Sequence, residues 1–396
     1  MQARRRNTTI RNITLKNLLS FGPEGLSLDL EPLNVLIGPN GSGKSNLLDC
    51  FEVLKSAPVQ LSAPIRNGGG VRNWIWERQP GPTARVETTL ENPSDDRRLL
   101  RHRIEFREVD QAFHLVDERV ENQQPDYGHT DPFFFYRFQD GRPALAVKGE
   151  DNRRPLQRDD VSDDESILSQ RKDPDLYPEL AHLSSLYDGI SLYREWTLGR
   201  RAALRQPQST DVRPTPLMED FSNLGMFLNS IRQDPKTKSS LIDHLIDAYE
   251  GLRDFELNFE GGSVQVFFTE GNLAIPATRL SDGSMKYLCL LAILLNPRPP
   301  SLVCIEEPET GMHPDLLPKI ADLMVEASAK CQLIVTTHSD ILVDALSDQV
   351  ESVVVCEKHD GRTSMNRLNG QDLTKWLEEY SLGRLWTKGE LGGVRW

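Results

Sequence analysis

Residues 38–45, Gly-Pro-Asn-Gly-Ser-Gly-Lys-Ser, carry the residue types and spacing of a loop built to hold phosphate, G-x-x-x-x-G-K-[ST]. Glycines let successive backbone N–H groups turn inward around an anion, and a helix N-terminus adds its own preference for negative charge. Gly38, Pro39, Asn40, Gly41, Ser42 and Gly43 form the expected cradle, with Asn46 one residue beyond its end. Lys44 would neutralise the outer phosphates of a nucleoside triphosphate, and the Ser45 hydroxyl would ligate Mg²⁺.

A second set of chemistry-bearing residues lies far downstream. The apolar run of residues 302–305 ends in Glu306 and Glu307, and then Pro308. Adjacent carboxylates repel and lose solvation at a buried strand end, so they are either exposed and ordinary or hold something cationic. Downstream of a phosphate loop, such a pair reads as metal holder and base. Glu306 would hold Mg²⁺ through its water, and Glu307 would orient and deprotonate the attacking water. Glu stands where Asp is commoner, so the first carboxylate reaches about one methylene further. His338 follows two threonines at another strand end, where it would sense the terminal phosphate. Ser281 and Gly283, in "LSDGS", precede an apolar helix and would offer hydrogen bonds to a phosphate at its N-terminus.

These groups need strand ends and helix starts to position them. Alternation predicts strands over 12–21 and 26–38, and helical spacing predicts a helix over 46–57. Three runs within 84–122 read as an antiparallel meander, and 132–138 as a further strand. Helical patterns run through 166–255, as in 241–252. Strands with glycine turns occupy 255–280. From 284 the pattern alternates: helix 284–295, strand 302–306, helix 315–329, strand 332–336, helix 340–346 and strand 352–356. Such alternation predicts a parallel sheet. The expected division is an N-terminal lobe over 1–122, an inserted helical lobe over 123–270 and a C-terminal lobe over 271–396.

Composition narrows the class. The 396 residues have a net charge of −13, which disfavours broad nucleic-acid binding but leaves room for a local basic groove. Arginines cluster at 3–6, 97–103, 153–154 and 199–205. The five cysteines form no CxxC pair, and four sit in apolar runs. They read as buried thiols of a reducing, cytoplasmic compartment rather than a zinc site. The longest apolar run, residues 287–295, is too short to span a membrane.

In order, "GPNGSGKS", "LSDGS", "VCIEEPE" and "TTHS" resemble the ABC-type ATPase heads of the SMC/RecF/OLD group. The opening "ITLKNLLSFG" is similar to that group's first strand, and "EEPETGMHP" to its OLD-like branch. Residues 169–180, "SQRKDPDLYPEL", and the closing "WTKGELGGVRW" resemble a family of compact bacterial ATPases of this branch. The resemblance is specific over about 15–58 and 270–356. It implies an α/β P-loop NTPase fold of ABC-head type, with a mixed sheet, an antiparallel meander and a helical lobe. ATP and Mg²⁺ are the implied cofactors, and a head-to-tail homodimer around two ATPs the implied assembly. Lys44 and Ser45 of one chain would then face Ser281 and Gly283 of the other. Glu307 would be the base, His338 the switch, and residues 308–311 would pass a signal between subunits. A glutamine normally contacts the metal after the meander, and Gln170 is the candidate. Asp282 departs from the usual second glycine of the signature, which weakens the expectation of dimer closure.

The 235 residues from Ser45 to Leu280 leave no room for a long coiled-coil arm. The 58 after His338 hold no nuclease domain of the TOPRIM kind. The first functional expectation is therefore an ATP-driven, dimerising switch for a separately encoded effector, a nuclease or toxin in anti-phage defence. The second is a RecF-like repair ATPase that clamps DNA, using Arg194, Arg200, Arg201 and Arg205. A transporter subunit is disfavoured by the first strand and the altered signature.

Overall fold

The structure, a computed structural model, describes residues 9–78, 81–139, 142–146, 154–155, 162, 164–249 and 251–393. The arginine cluster at 3–6, Arg153 and the last three residues lie outside them. The chain forms two compact units. One comprises Met1–Ile190, Val354–Leu368 and Gly392–Trp396, the other Ser191–Val353 and Asn369–Leu391. These cuts differ from the three spans expected above.

In the first unit an eight-stranded antiparallel sheet has the order Leu26–Asp29, Ile10–Lys16, Ala84–Glu91, Leu99–Val109, Ala112–Asn122, Phe134–Gln139, Arg142–Leu145, Arg154–Pro155. The expected meander is its centre, and the sheet runs on past it. Its period-two pattern buries Leu100, Ile104 and Phe106. Arginines of the 97–103 cluster are spent on cross-strand pairs: Arg101 with Glu121 and Arg103 with Glu87. A second, smaller set of strands carries the phosphate loop. Leu33–Ile37, buried at every position, lies beside Val353–His359, which forms an antiparallel hairpin with Arg362–Arg367.

In the second unit Leu302–Glu306 pairs in parallel with Gln332–Thr337, which places Glu306 opposite Thr336. Unbroken apolar runs of this kind suit strands covered on both faces. Ser263–Glu270 pairs with Leu252–Glu260 along its length, and with Gln208–Ser209 and Leu273–Pro276 at its two ends. The helix Asp282–Leu294 is buried from Met285 onward and apolar there except for Lys286. Pro235–Ala248 begins with a proline behind the capping Asp234 side chain.

The helical expectation for 166–255 needs correction. Pro178–Asp188, Leu224–Arg232 and Pro235–Ala248 are helices, but Ile190–Tyr193 is a strand and most of 194–223 is irregular. Pro207, Pro214 and Pro216 lack the N–H that a helix there would need. The thiols of Cys50, Cys289, Cys304, Cys331 and Cys356 are free and buried, as the sequence predicts. Burial pushes Cys331 and Cys356 up to about 12, so these two stay protonated and unreactive at neutral pH. Among the described residues no helix is long and apolar enough to cross a membrane.

Candidate functional site

The strand Leu33–Ile37 delivers the chain into the phosphate loop, and the helix Lys44–Ser56 leaves it. Two glycines there are required. At Gly38, with φ +145°, a Cβ would sit 2.2 Å from the Cys356 carbonyl oxygen. At Gly43, with φ +102°, it would sit 2.2 Å from Thr363 Oγ1. Lys44 is only 5% exposed, and its Nζ donates to the carbonyls of Gly38 at 2.8 Å and Pro39 at 3.0 Å. The ammonium is thus folded over the concave side of its own loop. Ser42 has a buried hydroxyl, 3.1 Å from where a Cβ on Gly38 would stand, with no hydrogen-bond partner among the described residues. An orphaned buried donor and a buried ammonium in one loop fit phosphate oxygens.

The hairpin that closes late in the sequence braces this loop. Thr363 Oγ1 donates to the Ser42 carbonyl at 2.8 Å and lies 2.7 Å from Ser20 Oγ. Asn46 Nδ2 donates to the same Ser20 hydroxyl at 2.6 Å. Ser20 and Asn46 also line a cavity of about 480 Å³ with Trp76, Glu77 and Lys358. Sequence reasoning missed Ser20, Thr363, Trp76 and Lys358, which lie outside any motif. Gln170 ends the short helix Ile167–Gln170, where its amide donates to the Ser166 carbonyl and leaves its oxygen as acceptor. The buried Glu118 carboxylate accepts from the Ser166 hydroxyl and the Ile167 N–H, anchoring that helix.

The second unit holds the acids, the histidine and the signature. A protein cation also lies beside the carboxylates: Arg194 Nε is 2.9 Å from Glu306 Oε2. Trp196 Nε1 donates to the Glu306 carbonyl at 2.8 Å. Glu307 is a non-glycine residue with φ +46°, a conformation that costs about 1 kcal/mol or more. Its N–H donates to the Thr336 carbonyl at 3.0 Å, continuing the parallel ladder one residue past the strand. Its carboxylate is half-exposed, accepts from Thr310 Oγ1 at 3.2 Å and lies 3.4 Å from His338 Nε2. The His338 N–H donates to Glu309 Oε1 at 2.6 Å. Glu306, Glu307, His338 and the 308–311 segment thus form one cluster. Lys286 donates to the carbonyls of Glu307 and Thr310, and burial lowers its pKa to about 8 against the upward pull of Glu309 and Glu307.

Ser281 caps the helix Asp282–Leu294, its Oγ accepting from the Ser284 N–H at 3.1 Å. A Cβ on Gly283 would stand 2.9 Å from the Gly311 carbonyl oxygen, so glycine is needed here too. Asp282, the departure from the usual signature, pairs at 2.6 Å with Arg205. Arg205 is 1% exposed and also donates to the carbonyls of Leu198, Ala277 and Leu280. This corrects its expected place in a DNA groove: it is a buried brace for the signature loop. Arg194 is likewise engaged on Glu306, and of the four only Arg200 and Arg201 are exposed. Arg205→Ala should lower stability by about 3–5 kcal/mol, because it strands three buried carbonyls. Arg200→Ala and Arg201→Ala should each stay within about 0.5 kcal/mol in the same urea titration.

The donors named for a metal are a hydroxyl at Ser45, a carboxylate at Glu306 and an amide oxygen at Gln170. That set of hard oxygens suits Mg²⁺. Glu306 already shares its charge with Arg194, so a metal there would be held by a carboxylate in common use.

A family profile described as "AAA domain, putative AbiEii toxin, Type IV TA system" matches residues 33–344. No curated protein matches the sequence. Among solved structures, one titled as an SMC head bound to the C-terminal winged-helix domain of ScpA superposes with a TM-score of 0.59 at 15% identity, covering 93% of this chain and 99% of that one. An SMC head with an extended coiled coil, bound to the C-terminal domain of ScpA and derived from Pyrococcus furiosus, gives 0.56 at 14% identity, covering 94% and 99%. An SMC head with coiled coil and joint from Pyrococcus yayanosii gives 0.51 at 14% identity, with the same coverage. The fold is that of a P-loop NTPase of SMC-head type.

Proposed function

The chain belongs to the AAA-domain family of the AbiEii, type IV toxin–antitoxin description, and on that premise we propose that it binds and hydrolyses Mg-ATP and acts as a dimerising switch for a separate effector. The observation that carries this reading is the loop itself. Gly38 and Gly43 admit no side chain, Ser42 holds an orphaned buried hydroxyl, and the buried Lys44 ammonium lies across the loop carbonyls. ATP would seat its phosphates on residues 38–45, and its base suits the cavity of Trp76 and Lys358. Ser45, Glu306 and Gln170 would hold Mg²⁺, which supplies charge neutralisation when bound. Glu307 would take the proton of the attacking water, with His338 as its neighbour.

Ser281 and Gly283 would receive the phosphates of a second copy, giving a head-to-tail homodimer. The family description supports a toxin–antitoxin setting; a separately encoded nuclease or toxin as effector, and the cytoplasm as compartment, are part of the same proposal. DNA clamping is the weaker alternative, since Arg194 and Arg205 are engaged within the fold.

Light scattering on Glu307→Gln tests the assembly. Mass should double on adding Mg-ATP, and a short duplex should not be retained at about 0.15 M salt. A mass indifferent to Mg-ATP overturns the shared-site dimer. Salt-sensitive, ATP-dependent retention of the duplex would favour the DNA clamp.

A further inference from the structure

Lys286 has no part in the chemistry above, yet the chain buries it. It lies on the helix Asp282–Leu294, five residues past Ser281, and is 1% exposed. Its Nζ donates to the Glu307 carbonyl at 2.8 Å and the Thr310 carbonyl at 2.9 Å. It also lies 4.5 Å from the centroid of the Trp196 ring. Among the described residues no carboxylate comes within ion-pair distance of it. A buried ammonium held by main-chain carbonyls is costly, and a leucine would fill such a site at less expense. What the lysine adds is a grip on one peptide segment.

That segment holds the Glu307 backbone in its left-handed conformation. Trp196 holds the Glu306 carbonyl, the Glu307 N–H is bonded to Thr336, and Lys286 holds the carbonyls of Glu307 and Thr310. The same helix touches the far end of the loop at Gly283, where only the absence of a side chain lets the Gly311 carbonyl approach. The signature helix therefore meets the 307–311 loop at two points, Gly283 in its first turn and Lys286 about one turn further.

We propose that Lys286 is a positioning residue that ties the signature helix to the main chain of Glu307, so that what binds at the helix N-terminus sets the placement of the Glu307 carboxylate. The proposal rests on Glu307 being the base. A rigid helix carries a displacement of Ser281 to Lys286 undiminished, and a carboxylate misplaced by about 1 Å loses about a hundredfold in rate.

Lys286→Met and Lys286→Arg test this, compared with Glu307→Gln in steady-state turnover, nucleotide titration and thermal melting. Lys286→Met should bind ATP within about twofold of wild type and melt at or above its temperature. Its kcat should fall about a hundredfold with KM little changed, and Lys286→Arg should recover at least about a tenth of the wild-type rate. A Lys286→Met protein with wild-type kcat, while Glu307→Gln is inactive, overturns the proposal and leaves the base in place. A wild-type rate in Glu307→Gln removes the base assignment instead. A loss of kcat that follows a lowered melting temperature, without rescue by arginine, reduces Lys286 to packing and also overturns it. If Lys286→Met does not fold, Lys286→Gln keeps one donor for one carbonyl. An intermediate kcat there supports the tie, and a wild-type kcat overturns it.

Discussion

Glu307→Gln should bind Mg-ATP as tightly as the wild type and turn it over about 10²–10⁴-fold more slowly. The substitution is close to isosteric, and the surroundings of the side chain show why its effect should be confined to chemistry. A glutamine oxygen can still accept from Thr310 Oγ1, and the main-chain bonds of residue 307 to Thr336 and Lys286 do not involve the side chain. The left-handed φ of +46° is no harder for glutamine than for glutamate. What disappears is a group that can take a proton. Single-turnover hydrolysis with a phosphate-release readout checks this, alongside a titration that shows binding intact. Hydrolysis at the wild-type rate would move the base elsewhere, with His338, 3.4 Å from the Glu307 carboxylate, the first residue to examine.

Lys44→Ala should abolish nucleotide binding at ordinary concentrations. The Lys44 ammonium makes two short bonds to carbonyls of its own loop, so its charge is already oriented where phosphate oxygens would arrive. Charge-assisted hydrogen bonds contribute about 1.5–3 kcal/mol each, and losing two lowers affinity by about a thousandfold. Titration calorimetry with Mg-ATP reads this directly. The fold should survive, because the helix Lys44–Ser56 buries Leu47, Leu48, Phe51 and Leu54 independently of its first residue. An affinity within a few-fold of wild type would remove the loop from the proposed site.

The parts of the fold most legible in the sequence are those where periodicity and function coincide. The strand Leu302–Glu306 matches its expected bounds because an unbroken apolar run ends at a charged residue. The meander is legible because alternation persists over three runs. The helix Asp282–Leu294 starts where Ser281 promises a cap. By contrast, the strand Arg362–Arg367, "RTSMNR", has little apolar signal, and only its hairpin partner and the phosphate loop define its role. Within the candidate site, motif spacing marked the groups that would touch ATP or water. It missed those that hold them, such as Thr363 on the loop, Trp196 on Glu306 and Arg205 on Asp282. These partners are distant in sequence or common in type, so no local pattern announces them. Arg205 is the sharpest case. One of several arginines in a basic stretch, it reads as surface charge until burial shows it bracing the signature loop.

The hairpin that carries Thr363 has a consequence for synthesis. It supplies the hydroxyl that bonds the Ser42 carbonyl, but it leaves the ribosome more than 300 residues after the loop it braces. A nascent chain halted at residue 350 already contains every motif assigned to nucleotide chemistry, from Gly38 to His338, and lacks this strut. A truncated product would therefore carry the complete signature of a nucleotide switch with its phosphate loop unbraced, and a message cut short would yield a chain that scores as an ATPase without being built as one.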